Sequence, residues 1–472
     1  MGEKAFCFHG HFYQPPREDP VSGEIPLEPG AAPYCNWNER IFDQCYRPNV
    51  ELGNFKRISF NIGPTLFHWW EKYDPVTYHQ VILDDNENFR TYGVGNAIAQ
   101  SYNHTILPLS TTLEKITQIR WGIADYIATF GHNPQGMWLP ETAVDLESLD
   151  ILAQNGIEFT ILAPWQATKT DIDPTKVYNV DLPGNRNINV FFYNQGLSGQ
   201  ISFNSEITQN GDKFIDSEIL IRLNQKSHKN QDEILMIASD GELYGHHQPF
   251  RDMFLAYVTG EGLNNRDVRM TYPGLWLKSH PPESSIKIKE NTSWSCHHGV
   301  SRWSGLCYCT PNASWKKPLR IALENIAGLL DNSYYEFAKE YVDDPWELRH
   351  CYYPVMHRQM KMQDLLFQHG YKSLEPEVVK RFSLLMHSQY ERQRMFASCG
   401  WFFDDLDRIE PLNNVAYAAQ AVWLNKIALD VDFSEEAKQW LQSAVSWRTG
   451  LSAGTVFWHH FQNASQRGAN QI

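Results

Sequence analysis

The chain has 472 residues, 42% hydrophobic and 20% charged, a globular balance that excludes a disordered or fibrous protein. A formal charge of -14 leaves no surplus Lys and Arg to neutralise phosphates, which argues against nucleic acid and against an anionic membrane surface as partners. The length suits one large barrel with an appended helical part better than a single core of ordinary size.

Aromatic residues make up 13%, with 16 Trp and 22 Tyr. Their flat apolar faces suit stacking on sugar rings, although large cores use them too. The opening MGEKAFCFHGHFYQPP carries no apolar signal region, and no apolar run is long enough for a bilayer. With eight scattered Cys, this suggests reduced thiols and a cytoplasmic protein. Cys296, Cys307 and Cys309 cluster beside His297 and His298 but lack the paired C-x-x-C spacing of a structural zinc site, so they are expected to be buried thiols with no metal.

In chain order, β-like runs fall at Ala5 to Phe8, Arg57 to Ile62, Gly136 to Leu139, Phe159 to Leu162, Asn189 to Tyr193 and Ile234 to Ala238. Between the first and second runs, Pro15 to Trp37 is rich in Pro and Gly and reads as a long ordered loop. Before the third, Ile116, Ile119, Ile123, Ile127 and Phe130 recur at steps of three and four, which predicts a helix from Leu113 to Phe130. Strands alternating with helices imply parallel pairing with crossovers. Beyond about residue 310 strand-like runs become scarce. Leu319 to Leu330, Glu377 to Met395, Val415 to Leu429 and Ser434 to Val445 read as helices, the last with Ser434 as N-cap before Glu435 and Glu436. The expected fold class is α/β. A barrel catalytic domain spans 1–300, and a mostly helical region over 301–472 packs on it.

Polar residues sit where these strands end. His9 and His11 follow the first run, Glu141 follows the third, and Asp240 follows the run at Ile234. In a β/α barrel, strand C-termini converge on the face that carries the active site. Two carboxylates there suit glycosidic bond cleavage, one attacking the anomeric carbon and the other protonating the leaving oxygen. Local alternatives exist for each residue. Glu141 could be a first-turn acid of a helix running through Leu152, and Asp240 could cap the turn at Gly241. His9 and His11 could bind metal, donate to a sugar or be satisfied core histidines.

The motifs resemble those of glycoside hydrolase family 57, in its α-amylase/α-mannosidase-like subgroup. His9-Gly10-His11 with Gln14-Pro15 is similar to the first family motif. Gly95-Asn96-Ala97-Ile98 through Tyr102-Asn103-His104 to Leu107-Pro108-Leu109 is similar to the second, with Ile98 near the place where several relatives carry Glu. Trp138-Leu139-Pro140-Glu141 resembles the third, and Asp240-Gly241-Glu242-Leu243-Tyr244-Gly245 the fourth. Asn291 to Cys296 with His298-Gly299 and Arg302-Trp303, and Ser398 to Asp405, look like subgroup features. The resemblance implies an incomplete seven-stranded barrel followed by a helical bundle. It also implies a retaining enzyme on α-linked glucan or oligosaccharide, without a cofactor or catalytic metal. Glu141 would be the nucleophile and Asp240 the general acid/base. His9, His11, Gln14, His104, Glu242, His246 and His298 would line the substrate site. Trp138, Trp294, Trp303 and Trp401 are candidate sugar platforms, a core role being at least as good a reading for Trp138.

Two other functions compete. A metal-dependent carbohydrate hydrolase or deacetylase would use His9, His11 and Asp240 as ligands. A non-catalytic glycan-binding protein would keep the fold and lose turnover.

Overall fold

The computed structural model describes residues 2–20, 22–223 and 231–469. It divides into two compact units. One comprises Met1–Gln14, Leu27–Ser101 and Asp125–Trp294, and the other Pro15–Pro26, Tyr102–Ala124 and Ser295–Ile472. The units therefore interleave along the chain, and a single cut at residue 300 separates them only in part.

The first unit is mixed α/β. Strand β1 (Lys4–Phe12) lies between β2 (Ser59–Ile62) and β8 (Glu233–Asp240), all parallel, with β9 (Arg269–Met270) also paired to β1. β3 (Ala99–Gln100) pairs in parallel with β4 (Met137–Trp138), and β5 (Phe159–Leu162) with β7 (Arg186–Phe192). Single parallel bridges join Phe60 to Ala97 and Gly136 to Phe159. Successive side chains alternate across a strand. Ala5 and Cys7 of β1 therefore share a face with His9 and His11. Ala5 and Cys7 pack with Ile234, Met236 and Ala238 of β8 and with Trp138, Phe159, Ile161 and Phe191 in one core cluster.

All the strand runs read from the sequence pair in parallel, as expected; one further strand outside them and one local reading of Glu141 differ. β6 (Val177–Leu182) is antiparallel to β7, joined by the turn Pro183–Asn185, where Gly184 and Asn185 take φ of 67° and 59°. Not every strand is parallel, because this tight left-handed turn makes a hairpin. The helix through Leu152 forms, but Glu141 is not its first-turn acid. Glu141 lies in a short 3-10 turn, Pro140–Thr142, and the helix begins at Leu146 behind the N-cap Asp145, whose side chain accepts from Ser148 N. The Pro15–Trp37 stretch is largely irregular, with one 3-10 turn at Pro29–Ala31; Val21 lies outside the described residues.

The second unit is helical. Its longer helices are Lys316–Ala338, Pro376–Arg394, Ile409–Leu429, Ser434–Leu441 and Ala453–Ala469. Ser434 is the first helical residue and not the cap. Asp432 accepts its N–H instead, and Phe433 occupies the cap position. The helix Thr112–Phe130 extends along both units in sequence. Its residue Trp121 packs with Tyr102, Tyr334, Leu348 and Phe382 in the core of the second unit.

Candidate active site

β1 and β8 place the first groups. In their parallel register His9 lies opposite Ala238 and His11 opposite Asp240; on the other side His9 meets Ser59 and His11 meets Asn61. His9 Nδ1 is 2.9 Å from Ser59 Oγ and its Nε2 is 3.2 Å from Asn61 Oδ1. His11 Nδ1 is 2.9 Å from Asn61 Nδ2, which also donates to Gln100 Oε1 at 2.7 Å. Both imidazole rings stack on Trp138, with centroids 4.9 and 5.0 Å away. Burial pushes His9 down to about 3 and His11 to about 4, so both are neutral near pH 7. Both His9 ring nitrogens already face hydrogen-bonding partners, which disfavours a metal ligated by His9, His11 and Asp240.

Glu141 stands on a strained turn. Glu141 and Thr142 have φ of 58° and 47°, the left-handed region that residues with a Cβ rarely occupy. Several bonds fix them there. Thr142 N donates to Leu139 O at 2.8 Å, and Trp294 N donates to Glu141 O at 3.0 Å. The Gln166 amide donates to Thr142 O at 2.7 Å and accepts from Thr142 Oγ1 at 2.9 Å and Ala163 N at 2.8 Å. The Trp294 indole N–H then donates to Glu141 Oε2 at 3.1 Å, which orients the carboxylate.

Asp240 is the last residue of β8 and is solvent-exposed. Protein nevertheless crowds its carboxyl. That crowding, with the charge of Glu141 second, pushes it up to about 7. Glu242 is buried two residues later. Its Oε1 accepts from Tyr46 Oη at 2.6 Å, from Tyr13 N at 3.2 Å and from Gln14 Nε2 at 3.5 Å. Burial raises Glu242 to about 7, the charge of Asp240 adding to it while the Tyr46 bond opposes. Three carboxyl groups thus share one electrostatic centre, and a group near 7 holds a proton that it can give up at neutral pH.

The other expected site residues divide. In the first unit, Gln14 holds Glu242. His246 places Nδ1 2.7 Å from Gln44 Oε1, with its ring against Trp37. Trp294 is half-buried against Trp138 and Tyr193. Trp138 has no exposed surface and is a core ring, not a platform. The remainder belong to the second unit. His104 bonds Ser398 there, Nδ1 to Oγ at 2.6 Å. Trp303 and Trp401 are 0% exposed, so the platform reading fails for both: neither offers a ring face to a sugar. His298 aims Nδ1 at the Cys307 and Cys309 sulfurs, and Cys309 is exposed, so the cluster is not simply a set of buried thiols.

Sequence reasoning missed Asn61, Gln166, Tyr46 and Trp165. Asn61 had a legible signal, a polar residue inside an apolar strand run. Trp165 lies in the 3-10 turn Pro164–Gln166 just past β5, is half-buried, and donates its indole N–H to Ser293 O at 3.0 Å. Nothing local marks Tyr46 or Gln166.

Known proteins bear on this arrangement. The model of glycosyl hydrolase family 57 matches residues 25–289, more than half of the chain and including both Glu141 and Asp240. A domain of unknown function, DUF3536, matches residues 312–472. No curated protein matches the sequence. Among solved structures, an exo-type maltose-forming amylase from Pyrococcus sp. ST04 is similar at 15% identity, over 97% of this chain and 88% of that one, with a TM-score of 0.71. A branching enzyme from Pyrococcus horikoshii is similar at 14% identity, over 96% of each chain, with a TM-score of 0.64. An α-amylase from Thermotoga maritima is similar at 13% identity, over 96% of this chain and 99% of that one, with a TM-score of 0.56. These likenesses define the fold. The chain belongs to glycosyl hydrolase family 57 and is a glycoside hydrolase by class. Among the described residues, no helix is long and apolar enough to cross a membrane.

Proposed function

We propose that the chain is a retaining enzyme on α-linked glucan, with Glu141 as nucleophile and Asp240 as general acid/base. Glu141 attacks C1 and forms a glycosyl-enzyme while Asp240 gives its proton to the leaving oxygen. Asp240, now a carboxylate, then takes a proton from water or from an acceptor hydroxyl as that oxygen attacks C1. Hydrolysis and transfer differ only in the acceptor, and the amylase and branching-enzyme names of the structural neighbours span both outcomes. One observation carries the reading: Glu141 follows β4 and Asp240 ends β8, so both carboxyls stand at the C-terminal ends of parallel strands, where the charge of Glu141 helps Asp240 keep its proton. Trp294, bonded to Glu141, and Trp165, shortly after β5, are both half-buried and are the sugar platforms in this reading. His11 and Gln14 belong to the same centre, His11 opposite Asp240 in the β1–β8 register and Gln14 through Glu242.

The parallel run β8–β1–β2–β3–β4–β5–β7 supports the incomplete seven-stranded barrel, because Asn194 N, just after β7, donates to Met236 O of β8 at 2.8 Å. The motifs at Asn291–Cys296 and Ser398–Asp405 support the subgroup, and scattered cysteines, with no disulfide among the described residues, support a cytoplasmic setting.

Azide tests the assignment. Glu141→Ala should lose at least about 10³-fold in kcat on an aryl maltooligoside. Azide should then restore turnover and give a β-configured glycosyl azide. Asp240→Ala with azide should give the α-anomer. Identical anomers from both variants, or full activity in Glu141→Ala, removes the assignment.

A further inference from the structure

Cys296, His298, Cys307 and Cys309 lie in one loop of the second unit, ahead of the helix Lys316–Ala338. We propose that these four side chains hold one tetrahedral zinc ion. Their donor atoms all lie within 4.8 Å of one another. Cys296 Sγ is 3.4 Å from Cys307 Sγ and 4.0 Å from Cys309 Sγ. His298 Nδ1 is 3.5 Å from Cys307 Sγ and 3.3 Å from Cys309 Sγ. A tetrahedral zinc with bonds of about 2.3 Å to sulfur and about 2.05 Å to nitrogen has S–S edges of about 3.8 Å and S–N edges of about 3.5 Å. Each of the four distances lies within about 0.4 Å of the corresponding edge. A Cys296–Cys307 disulfide does not explain them, since bonded sulfurs approach to about 2.05 Å.

The backbone is shaped for this task. Gly299 N donates to Cys296 O at 3.1 Å, closing a turn with Gly299 at φ 70°, a conformation that suits glycine. Thr310 N closes a second turn onto Cys307 O at 3.0 Å. Each turn presents two donors two residues apart, giving C-x-H and C-x-C in place of C-x-x-C. The Arg302 guanidinium donates to Ser295 O at 3.1 Å, next to Cys296, and its positive charge helps hold the Cys309 thiol below its ordinary value. Three thiolates, one neutral imidazole and Zn²⁺ sum to one negative charge, which Arg302 opposes, as outer-shell partners of metal sites do. Binding releases the three thiol protons to solvent. Four protein ligands leave no open position, so the ion is structural and takes no part in bond cleavage. Soft thiolates in tetrahedral geometry favour zinc over the hard cations.

The full chain, purified under reducing conditions without chelator or metal-affinity resin, should contain one zinc per molecule by elemental analysis. Chelation should expose three further thiols to a thiol reagent, and added zinc should protect them again. Cobalt added to the metal-free chain should give the thiolate charge-transfer and tetrahedral d–d bands of a Cys₃His site. Cys309→Ser should lose the zinc or weaken its retention against a chelator by at least tenfold, while Cys351→Ser keeps it. The wild-type titrations decide the matter even if Cys309→Ser does not fold. A metal-free wild-type chain that takes up neither zinc nor cobalt overturns the proposal, as does a Cys296–Cys307 disulfide in the reduced protein.

Discussion

Glu141 and Asp240 divide their labour through their surroundings. Glu141 receives an indole hydrogen bond on Oε2, which favours its ionised form, while Asp240 is crowded and lies beside a negative charge. Trp294→Phe keeps an aromatic ring and deletes only the N–H. A hydrogen bond to a charged group is worth about 1.5–3 kcal/mol, so kcat/KM should fall by about 10- to 150-fold. A fall of less than about threefold in steady-state assays would mean that Trp294 does not orient Glu141. With Asp240 near 7, kcat/KM should decline above about pH 7 as its proton leaves. Glu242 adds negative charge to the same centre, so Glu242→Gln makes Asp240 easier to ionise. The alkaline limb of the pH–rate profile should therefore move to lower pH. A limb that stays put in the variant would separate the two carboxyls electrostatically.

At the level of elements, the end of β8 fits against β1 with no spare room. A Cβ added at Gly241 would stand 2.3 Å from the ring of Phe12, which is wholly buried. Gly241→Ala should cost about 1–3 kcal/mol by overpacking and should displace Asp240, its chain neighbour. Denaturant unfolding reads the first effect and kcat the second; unchanged values for both would mean that Phe12 yields freely. The same strands explain what the sequence could reveal. The apolar run Ala5–Phe8 marked β1, but the strand continues to Phe12 because His9 and His11 face a polar, hydrogen-bonded interior instead of breaking the ladder. Asp240 likewise completes β8, where a turn was the local alternative. β3 and β4, two residues each, are too short for any periodicity to show. The left-handed backbone at Glu141 and Thr142 depends on Gln166 and Trp294, which are remote in sequence and carry no local signature. The carboxylates were legible as residues after strands; their support was not. The Cys₃His group was visible as a cluster, but its two-residue spacing hid the geometry.

For the whole molecule, the catalytic centre taxes stability in a pH-dependent way. Glu242 has a native pKa of about 7, above its unfolded value, so its ionisation favours unfolding increasingly as pH rises from about 4.5 through 7. Glu242→Gln preserves an acceptor for Tyr46, Tyr13 and Gln14 without the charge. Its Tm should match the wild type near pH 4.5 and exceed it at pH 7.5, with the gap opening between those values. A gap independent of pH in thermal melts would show that Glu242 is not ionising against the fold. His9 and His11 act in the opposite sense. Their native values of about 3 and 4 lie below the unfolded 6.5, so their share of stability is lost as pH falls from about 6.5 towards 4.

The interleaving of the two units also matters on the ribosome. Tyr102 and Trp121 bury their rings among Tyr334, Leu348 and Phe382. At about 5–20 residues per second, a growing polypeptide needs about 14–56 s to pass from Tyr102 to Phe382. Throughout that interval an aromatic surface on the nascent helix has nothing to bury it. Fragments that end near residue 300 should therefore be less soluble on expression than the full chain.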